Sequence, residues 1–243
     1  GARTTPPAEQ TPWVPETALA EAGEHDGATR LQARLLVDAG RSTLERARIG
    51  VLFDLDPGWH LYWRNAGDTG IATTLRVRAP GATVADLRWP APTSFSEGEG
   101  AFETFGYSDR VLLTTDLALD PGYAEERRVY VDADVLICRT ECIPASVSLE
   151  RSLTEALVDS PDNLAVTRLF EAFEARVPVA PERLGIELEA LYSQTAVRPG
   201  DAFEAAIAVR PCVGDAPCIA WRPAPGATAF FPESDSPVRV RDA

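Results

Sequence analysis

The sequence predicts an antiparallel β-sandwich, followed by one helix and a second small β-rich unit. Short segments in which apolar and polar residues alternate recur along the 243 residues, and turn signals rich in Gly, Pro and Asp separate them at fairly regular intervals. After Ser160 the pattern changes from the two-residue period of a strand to the spacing of a helix. After Pro181 the alternating pattern returns, which favours a second β unit.

Five alternating or aromatic segments form the first half of the predicted sandwich. Their apolar residues fall on one face of an extended chain, which is typical of strands with one buried side. A strong turn signal, Asp56-Pro57-Gly58, separates two of them. The five predicted strands cover residues 31–37, 47–55, 59–63, 73–78 and 84–89.

Residues 90–109 are predicted to be a long irregular loop, because proline and glycine interrupt the stretch repeatedly. Loops of this length are uncommon inside compact domains and tend to be functional. Strands resume at 111–117, at 129–137 and near Val147. Within 129–137 every second residue is Val, Ala or Ile, which predicts one fully buried face.

A helix is predicted over 161–176, because Ser160 is a suitable capping residue and Pro161 fits the first helical position. It either closes the first unit or bridges to the next. The apolar residues at helical spacing form one stripe: Val166, Leu169, Phe170, Phe173 and Val177.

The chain is thereby divided into four segments. A flexible lead-in covers 1–28, the first β domain covers 29–160, and a helical linker covers 161–178. The last segment, 179–243, is a second small β domain. Since a full sandwich domain takes about 100 residues, this last domain is expected to be small or truncated.

The charge and the cysteine content limit the classes of function. A net charge of −14 argues against nucleic acid as a partner, because such binding needs a basic face. No apolar run approaches the roughly 18 residues of a membrane span, and no signal-peptide pattern opens the sequence. The four cysteines occur in two close pairs, which suits an oxidising compartment.

The first cysteine pair, Cys138 and Cys142, lies where the buried strand 129–137 runs into a turn ended by Pro144. Two cysteines in one tight turn can alternate between dithiol and disulfide with little backbone movement. The arginine between them, Arg139, favours a thiolate, whereas Glu141 opposes it. The pair is therefore a candidate for thiol–disulfide exchange.

Two other interpretations of this pair remain open at the level of the residues. One is an inert structural disulfide, although so short a loop gains little stability from the entropy of loop closure. The other is a copper-binding module that holds Cu(I) through two soft thiolates. A closed zinc site is not expected, since only His25 and His60 are available, and we predict no metal and no cofactor.

Three motifs together resemble the periplasmic amino-terminal region of the DsbD-family transmembrane thiol–disulfide reductases, and more closely the ScsB type linked to copper tolerance. The resemblance covers about residues 30 to 155. The motifs are Cys138-Arg139-Thr140-Glu141-Cys142-Ile143-Pro144, Pro57-Gly58-Trp59-His60-Leu61-Tyr62-Trp63-Arg64-Asn65 and Arg88-Trp89-Pro90-Ala91-Pro92.

The resemblance implies an immunoglobulin-like sandwich that acts as a protein-disulfide reductase domain. In such proteins the cysteine pair takes electrons from a membrane-embedded domain of the same reductase and passes them to periplasmic thioredoxin-like proteins. The chain would then be the periplasmic, soluble part of an inner-membrane protein. The later cysteine, Cys142, would form the mixed disulfide and Cys138 would resolve it, although DsbD members carry a longer spacing between their cysteines.

The resemblance also implies a cap loop that shields the cysteines until a partner docks. Glu103-Thr104-Phe105-Gly106-Tyr107 matches that loop, with Phe105 as the cap and Tyr107 as its neighbour. The alternative is that these aromatic residues plug one end of the sandwich.

The second pair, Cys212 and Cys218, is separated by five residues that include Gly and Pro. We interpret it as a structural disulfide, because small domains often need such a cross-link. A second redox-active pair is the alternative.

Overall fold

Antiparallel strands account for most of the structure, a computed structural model that describes residues 18–43, 45–122, 126–158, 163–196, 198, 201, 203–211 and 231. Two helices are also present in this part of the chain, α1 (Leu153–Val158) and α2 (Asn163–Glu174). The strands are β1 (Leu19–His25), β2 (Ala28–Val37), β3 (Arg46–Leu55), β4 (His60–Gly67), β5 (Thr74–Arg78), β6 (Ala82–Val84), β7 (Thr93–Glu97), β8 (Phe102–Ser108), β9 (Arg110–Leu119), β10 (Arg128–Cys138), β11 (Cys142–Ser152), β12 (Ile186–Tyr192) and β13 (Ala205–Pro211).

The first eleven strands form the two sheets of an immunoglobulin-like sandwich, which confirms the predicted fold class. The first sheet has the order β1-β2-β3-β9-β6. The second has the order β11-β10-β4-β8-β7, and β5 pairs with the early part of β10, from Tyr130 to Asp134. Because β4 pairs only with the end of β10, at Ile137 and Cys138, β4 and β5 share one side of that strand.

The core lies between the sheets and is built from the alternating residues of the sequence. In β10 the inward residues are those predicted from the two-residue period, Val129, Val131, Ala133, Val135 and Ile137, and all are buried. Burying one such Val or Ile side chain contributes about 1.5–3 kcal/mol. The opposite sheet contributes the alternating apolar residues of β3, among which Phe53 has no exposed surface.

A strand replaces part of the predicted flexible lead-in. Residues 19–25 form β1, which pairs with β2 from Leu19 opposite Arg34 to His25 opposite Ala28. The two strands are joined by a two-residue turn in which Asp26 and Gly27 both have positive φ, 52° and 73°. An Asp-Gly pair at those two positions is typical of a tight β-hairpin, so the lead-in prediction is wrong for this part.

The predicted loop 90–109 is a second hairpin. β7 and β8 pair from Thr93 opposite Gly106 to Glu97 opposite Phe102. The turn between them places Gly98, Glu99 and Gly100 at positive φ, which two glycines accept without strain. The prediction of irregular structure is wrong because β8 pairs with β4 as well as with β7, and the long-range pairing with β4 is not visible in the local pattern.

The predicted strand 84–89 is also displaced. The strand β6 covers Ala82–Val84, pairs with β9 and ends there. Further along, Arg88 makes a single bridge to Thr114 of β9. The pairing does not continue beyond it, because Pro90 has no N–H to donate.

Helix α2 packs against the first sheet, as its apolar stripe predicts. Val166, Leu169, Phe170 and Phe173 are buried and belong to the same hydrophobic cluster as the residues between the sheets. A Cβ added to Gly50 in β3 would lie 3.0 Å from the Phe170 ring, so glycine allows the close approach of helix and sheet. The segment predicted as a linker is therefore part of the first unit, which extends through Val177.

The described part of the second unit consists of one hairpin. The strands β12 and β13 pair from Ile186 opposite Pro211 to Tyr192 opposite Ala205, and a 3₁₀ turn at Pro181–Leu184 precedes them. The aromatic rings of Tyr192 and Phe203 lie 6.2 Å apart. Within the residues that the structure describes, neither helix is long and apolar enough to span a bilayer.

Candidate functional site

Cys138 and Cys142 form a disulfide across the tip of the β10–β11 hairpin. Cys138 is the last residue of β10, Cys142 is the first of β11, and the two are direct cross-strand partners with Cα atoms 4.1 Å apart. The turn is closed by a hydrogen bond from the Arg139 N–H to the Glu141 carbonyl, 3.0 Å long. The predicted turn does not extend to Pro144. Pro144 lies within β11, which is an edge strand of the sheet, where proline is tolerated.

The two sulfur-bearing residues differ in accessibility. Cys138 is 2% exposed, whereas Cys142 is an exposed residue. Since disulfide exchange requires one thiolate to reach a sulfur along the S–S axis, a protein partner meets Cys142 first. Cys138 is covered by groups from the neighbouring strands.

The strand register places the disulfide on the outer face of the second sheet. Cys138 is opposite His60 of β4, and Tyr62, two residues further along, points to the same face. Tyr62 is in turn opposite Gly106 of β8. Gly106 therefore places no side chain beside Tyr62 on this face.

The Tyr62 hydroxyl contacts both sulfur atoms. Its oxygen lies 3.2 Å from Cys138 Sγ and 3.9 Å from Cys142 Sγ. A Cβ added to Gly70 would lie 2.6 Å from the ring, so the turn at Gly70 packs directly on it. The pKa of Tyr62 is raised above its usual value, mainly by burial and to a smaller extent by the hydrogen bond to Glu97. The hydroxyl therefore stays protonated at neutral pH.

The Glu97 carboxylate is the hub of the polar contacts at this site. It accepts hydrogen bonds from the Tyr62 hydroxyl at 3.0 and 3.1 Å and from the Thr104 hydroxyl at 2.8 Å. His60 Nε2 lies 2.9 Å from the same carboxylate. Because an ionised carboxylate can only accept, His60 donates to it through Nε2–H.

His60 is held between two rings. It stacks on Phe95 of β7, with the centroids 4.4 Å apart, and meets Tyr62 edge-on at 5.5 Å. His60 is therefore a packed histidine that also contacts Glu97. Its side chain is 9% exposed.

The tip of the hairpin is attached to the rest of the domain by two further contacts. The Arg139 guanidinium lies over the Trp59 ring at 5.8 Å, a cation–π contact. His25 Nε2 of β1 lies 3.4 Å from a Glu141 oxygen, and its Nδ1 lies 3.0 Å from Asp26. The two charged residues between the cysteines thus contact Trp59 and His25.

The structure does not place the predicted cap over the disulfide. Phe105 and Tyr107 belong to β8, on the face opposite to that of Gly106, and both are buried in the core between the sheets. The Phe105 ring meets Phe231 edge-on at 5.2 Å, and the Tyr107 hydroxyl donates to the Pro90 carbonyl. Burial raises the pKa of Tyr107.

The third residue of the predicted cap, Glu103, is exposed and accepts a hydrogen bond from Ser94 at 2.7 Å. The cap prediction is thus wrong in geometry, because a one-residue step along a strand reverses the face. The residue that contacts the disulfide is instead Tyr62, whose hydroxyl is hydrogen-bonded to Glu97.

The sequence alone does not identify Tyr62, Glu97 and Thr104 as site residues. His60 and Tyr62 do alternate in one predicted strand, which is a signal that they share a face. Only the register of β4 against β10 shows that this face carries Cys138.

Cys212 and Cys218 lie outside the described residues, and their pairing stays a prediction. In the described part of the chain, no three His, Cys, Asp or Glu side chains are grouped as metal ligands.

Comparisons with known proteins agree with this arrangement. The family model for the amino-terminal domain of the thiol:disulfide interchange protein DsbD matches residues 32–154. Among solved structures, the N-terminal periplasmic domain of ScsB from Proteus mirabilis is similar, with a TM-score of 0.52 and 21% identity over 82% of this chain and 89% of that chain. This second likeness shows a shared fold.

A weaker likeness involves the GAE domain of yeast GGA1, with a TM-score of 0.31 and 12% identity over 56% of this chain and 97% of that chain. It is too weak to carry a conclusion. No curated protein sequence matches the chain. The family match includes Cys138, Cys142 and every strand from β3 to β11.

Proposed function

Since the chain belongs to the family of DsbD amino-terminal domains, we propose that it relays electrons by thiol–disulfide exchange at Cys138 and Cys142. The donor is a membrane-embedded reductase domain of the same protein, and the acceptors are thioredoxin-like proteins. The compartment is the periplasm, where oxidised partners are available. The similar ScsB domain is a periplasmic one, which supports this location.

The observation that carries the proposal is the unequal exposure of the two cysteines in one hairpin-tip disulfide. An exposed Cys142 can form a mixed disulfide with a partner, while a buried Cys138 stays within bonding distance to resolve it. A purely structural disulfide needs no such asymmetry.

The exchange is a two-electron transfer in two substitutions. In the reduced domain, the Cys142 thiolate attacks one sulfur of the partner's disulfide, and the partner's other sulfur leaves as a thiolate. The Cys138 thiolate then attacks Cys142 Sγ, the domain disulfide closes, and the partner leaves with both cysteines reduced. Reduction of the domain by the membrane-embedded donor runs through the same steps in reverse.

We expect the reduced chain to transfer its electrons to an oxidised thioredoxin-like domain. The measurement is acid quenching at timed intervals, alkylation of free thiols and mass spectrometry of the peptides from both proteins. The partner's cysteines should become reduced as Cys138 and Cys142 become oxidised. The matched control is a chain with both residues changed to serine, in which Cys212 and Cys218 are retained. Equal transfer by this control would refute the assignment of the site.

A further inference from the structure

The contacts of Glu97 suggest a role beyond that of a satisfied polar residue. Its carboxylate accepts hydrogen bonds from Tyr62 and Thr104 and lies against His60, yet electron exchange itself requires only the two sulfurs. Through Tyr62 the carboxylate is connected to Cys138 Sγ by two short contacts, 3.0 Å and 3.2 Å long. The chain of atoms therefore runs from a buried sulfur to a partly exposed acid.

The direction of the Tyr62 proton follows from its two neighbours. The hydroxyl has one proton, and a carboxylate is a much stronger acceptor than a sulfur atom. The proton therefore points to Glu97, at 3.0 and 3.1 Å from the two carboxylate oxygens. An oxygen lone pair of Tyr62 remains on the side of Cys138 Sγ.

This orientation favours the protonated form of Cys138 after reduction. A Cys138 thiol can donate to the lone pair of Tyr62, which extends the hydrogen-bonded chain to Glu97. A Cys138 thiolate, in contrast, would face that lone pair and the negative charge of Glu97 while 2% exposed to water. Cys142 is exposed to water and its Sγ lies farther from the Tyr62 hydroxyl, at 3.9 Å against 3.2 Å for Cys138, so both effects are weaker there.

We propose that Tyr62 and Glu97 form a proton relay that holds Cys138 as a thiol in the reduced domain and takes its proton when it attacks Cys142. Tyr62 touches the reacting sulfur, and Glu97 is a positioning residue that acts through Tyr62. This inference rests on the proposed function, since it assigns a proton acceptor to the resolving step of that exchange.

The relay balances the resolving step. The Cys138 proton moves to the Tyr62 oxygen while the Tyr62 proton moves to the Glu97 carboxylate, which leaves a Cys138 thiolate and a neutral Glu97. The thiolate attacks Cys142 Sγ, the bond from Cys142 to the partner breaks, and the partner's sulfur leaves as a thiolate. In the reverse direction Glu97 returns the proton to the departing Cys138.

Other titratable groups lie near Glu97 and Cys138. His60 and Tyr62 of β4 contact Glu97, and Cys142 of β11 is bonded to Cys138. The charged side chains at the hairpin tip are directed elsewhere, since Arg139 lies over Trp59 and Glu141 lies beside His25. Glu97 is thus the carboxylate that Tyr62 links to Cys138.

The test measures the ionisation of Cys138 in a Cys142→Ser variant of the full chain. The rate of alkylation of Cys138 by iodoacetamide, followed by mass spectrometry of its peptide between pH 6 and 11, gives the midpoint. We expect a midpoint above the value of about 8.5 for a free cysteine. A midpoint below that value, in this variant with Tyr62 and Glu97 intact, would overturn the proposal.

Substitution of Glu97 tests the relay itself. Glu97→Gln should lower the Cys138 midpoint by about one pH unit or more, because a nearby negative charge is removed. The matched control is Glu99→Gln, which removes the same charge from the exposed turn of the same hairpin and should leave the midpoint unchanged. Equal shifts in both variants would show a general charge effect and would contradict the proposal.

A double-substitution cycle with Tyr62→Phe shows whether the effect passes through the hydroxyl. In the Tyr62→Phe background, Glu97→Gln should move the midpoint by much less than it does when the hydroxyl is present. An undiminished shift would mean that the charge acts directly through space and would exclude the relay. These titrations need no redox partner, so a failure of electron transfer and a failure of the relay are observed separately.

Discussion

Replacing Cys142 with serine is expected to abolish the mixed disulfide with a thioredoxin-like partner, whereas replacing Cys138 is expected to make it accumulate. The reason is the exposure of Cys142 and the burial of Cys138. In the Cys138→Ser variant the intramolecular attack that releases the partner is absent. Intramolecular reactions have a large effective concentration, so the mixed disulfide should live at least about a hundredfold longer.

The measurement is non-reducing electrophoresis of each reduced variant after mixing with an oxidised thioredoxin-like domain, with the linked peptides identified by mass spectrometry. The Cys138→Ser chain should be linked to the partner through Cys142. If the Cys142→Ser chain formed the stable adduct through Cys138, the assigned order of the cysteines would be reversed. A Cys212→Ser variant is a useful control, since it keeps the candidate site intact.

Substituting valine for Gly106 is expected to damage both the fold and the site. A Cβ at this position would lie 2.1 Å from the Leu61 carbonyl oxygen and 3.2 Å from the Tyr62 Cα. Because the obstacle is the backbone of β4, the two strands must separate, and we expect the free energy of unfolding to fall by about 3 kcal/mol. Since Gly106 is the cross-strand partner of Tyr62, the contact of Tyr62 with Cys138 should weaken too.

Urea denaturation measures the loss of stability, and the pH dependence of Cys138 alkylation in the folded variant measures the damage to the site. The matched control is Gly122→Ala in an exposed turn, where the nearest neighbour is the flexible side chain of Asp120 at 3.3 Å. It should change stability by no more than about 0.5 kcal/mol. A Gly106→Val protein as stable as this control would contradict the β4–β8 register.

The sandwich is predictable from the sequence where each strand has one buried side. The alternating residues Val129 to Ile137 of β10 and Ala47 to Leu55 of β3 face the core. The stripe of α2 from Val166 to Phe173 packs against the other face of the first sheet, at Gly50. The sequence motif around Cys138 and Cys142 also predicts a turn with two adjacent sulfurs. In these elements, local periodicity and the burial of side chains favour the same structure.

The failures of prediction concern elements whose pairing is long-range or whose residues are mostly polar. β1 and β7 have few apolar residues, so their alternation is weak, although Asp26-Gly27 is a usable signal for the first hairpin. The glycines in the stretch that contains Phe105 predict a loop. In the structure those glycines form the β7–β8 turn and allow strand contacts.

The composition of the site could not be derived from spacing alone. Tyr62, Glu97 and Cys138 are separated by 35 and 41 positions in the sequence, and they meet because β7, β8, β4 and β10 are neighbours in one sheet. The pleat then decides which residues face the disulfide. It selects Tyr62 and Gly106, and it turns Phe105 and Tyr107 into the core.

Reduction of the Cys138–Cys142 disulfide in the folded protein distinguishes a redox-active pair from a structural cross-link. The chain is incubated with dithiothreitol at neutral pH, sampled by alkylation and peptide mass spectrometry, and followed in parallel by near-ultraviolet circular dichroism. For a redox-active pair we expect both cysteines to become alkylated while the circular dichroism spectrum of the folded sandwich is retained. Alkylation of Cys138 and Cys142 only after a denaturant unfolds the protein would mean that the disulfide is structural, and would contradict the proposed function.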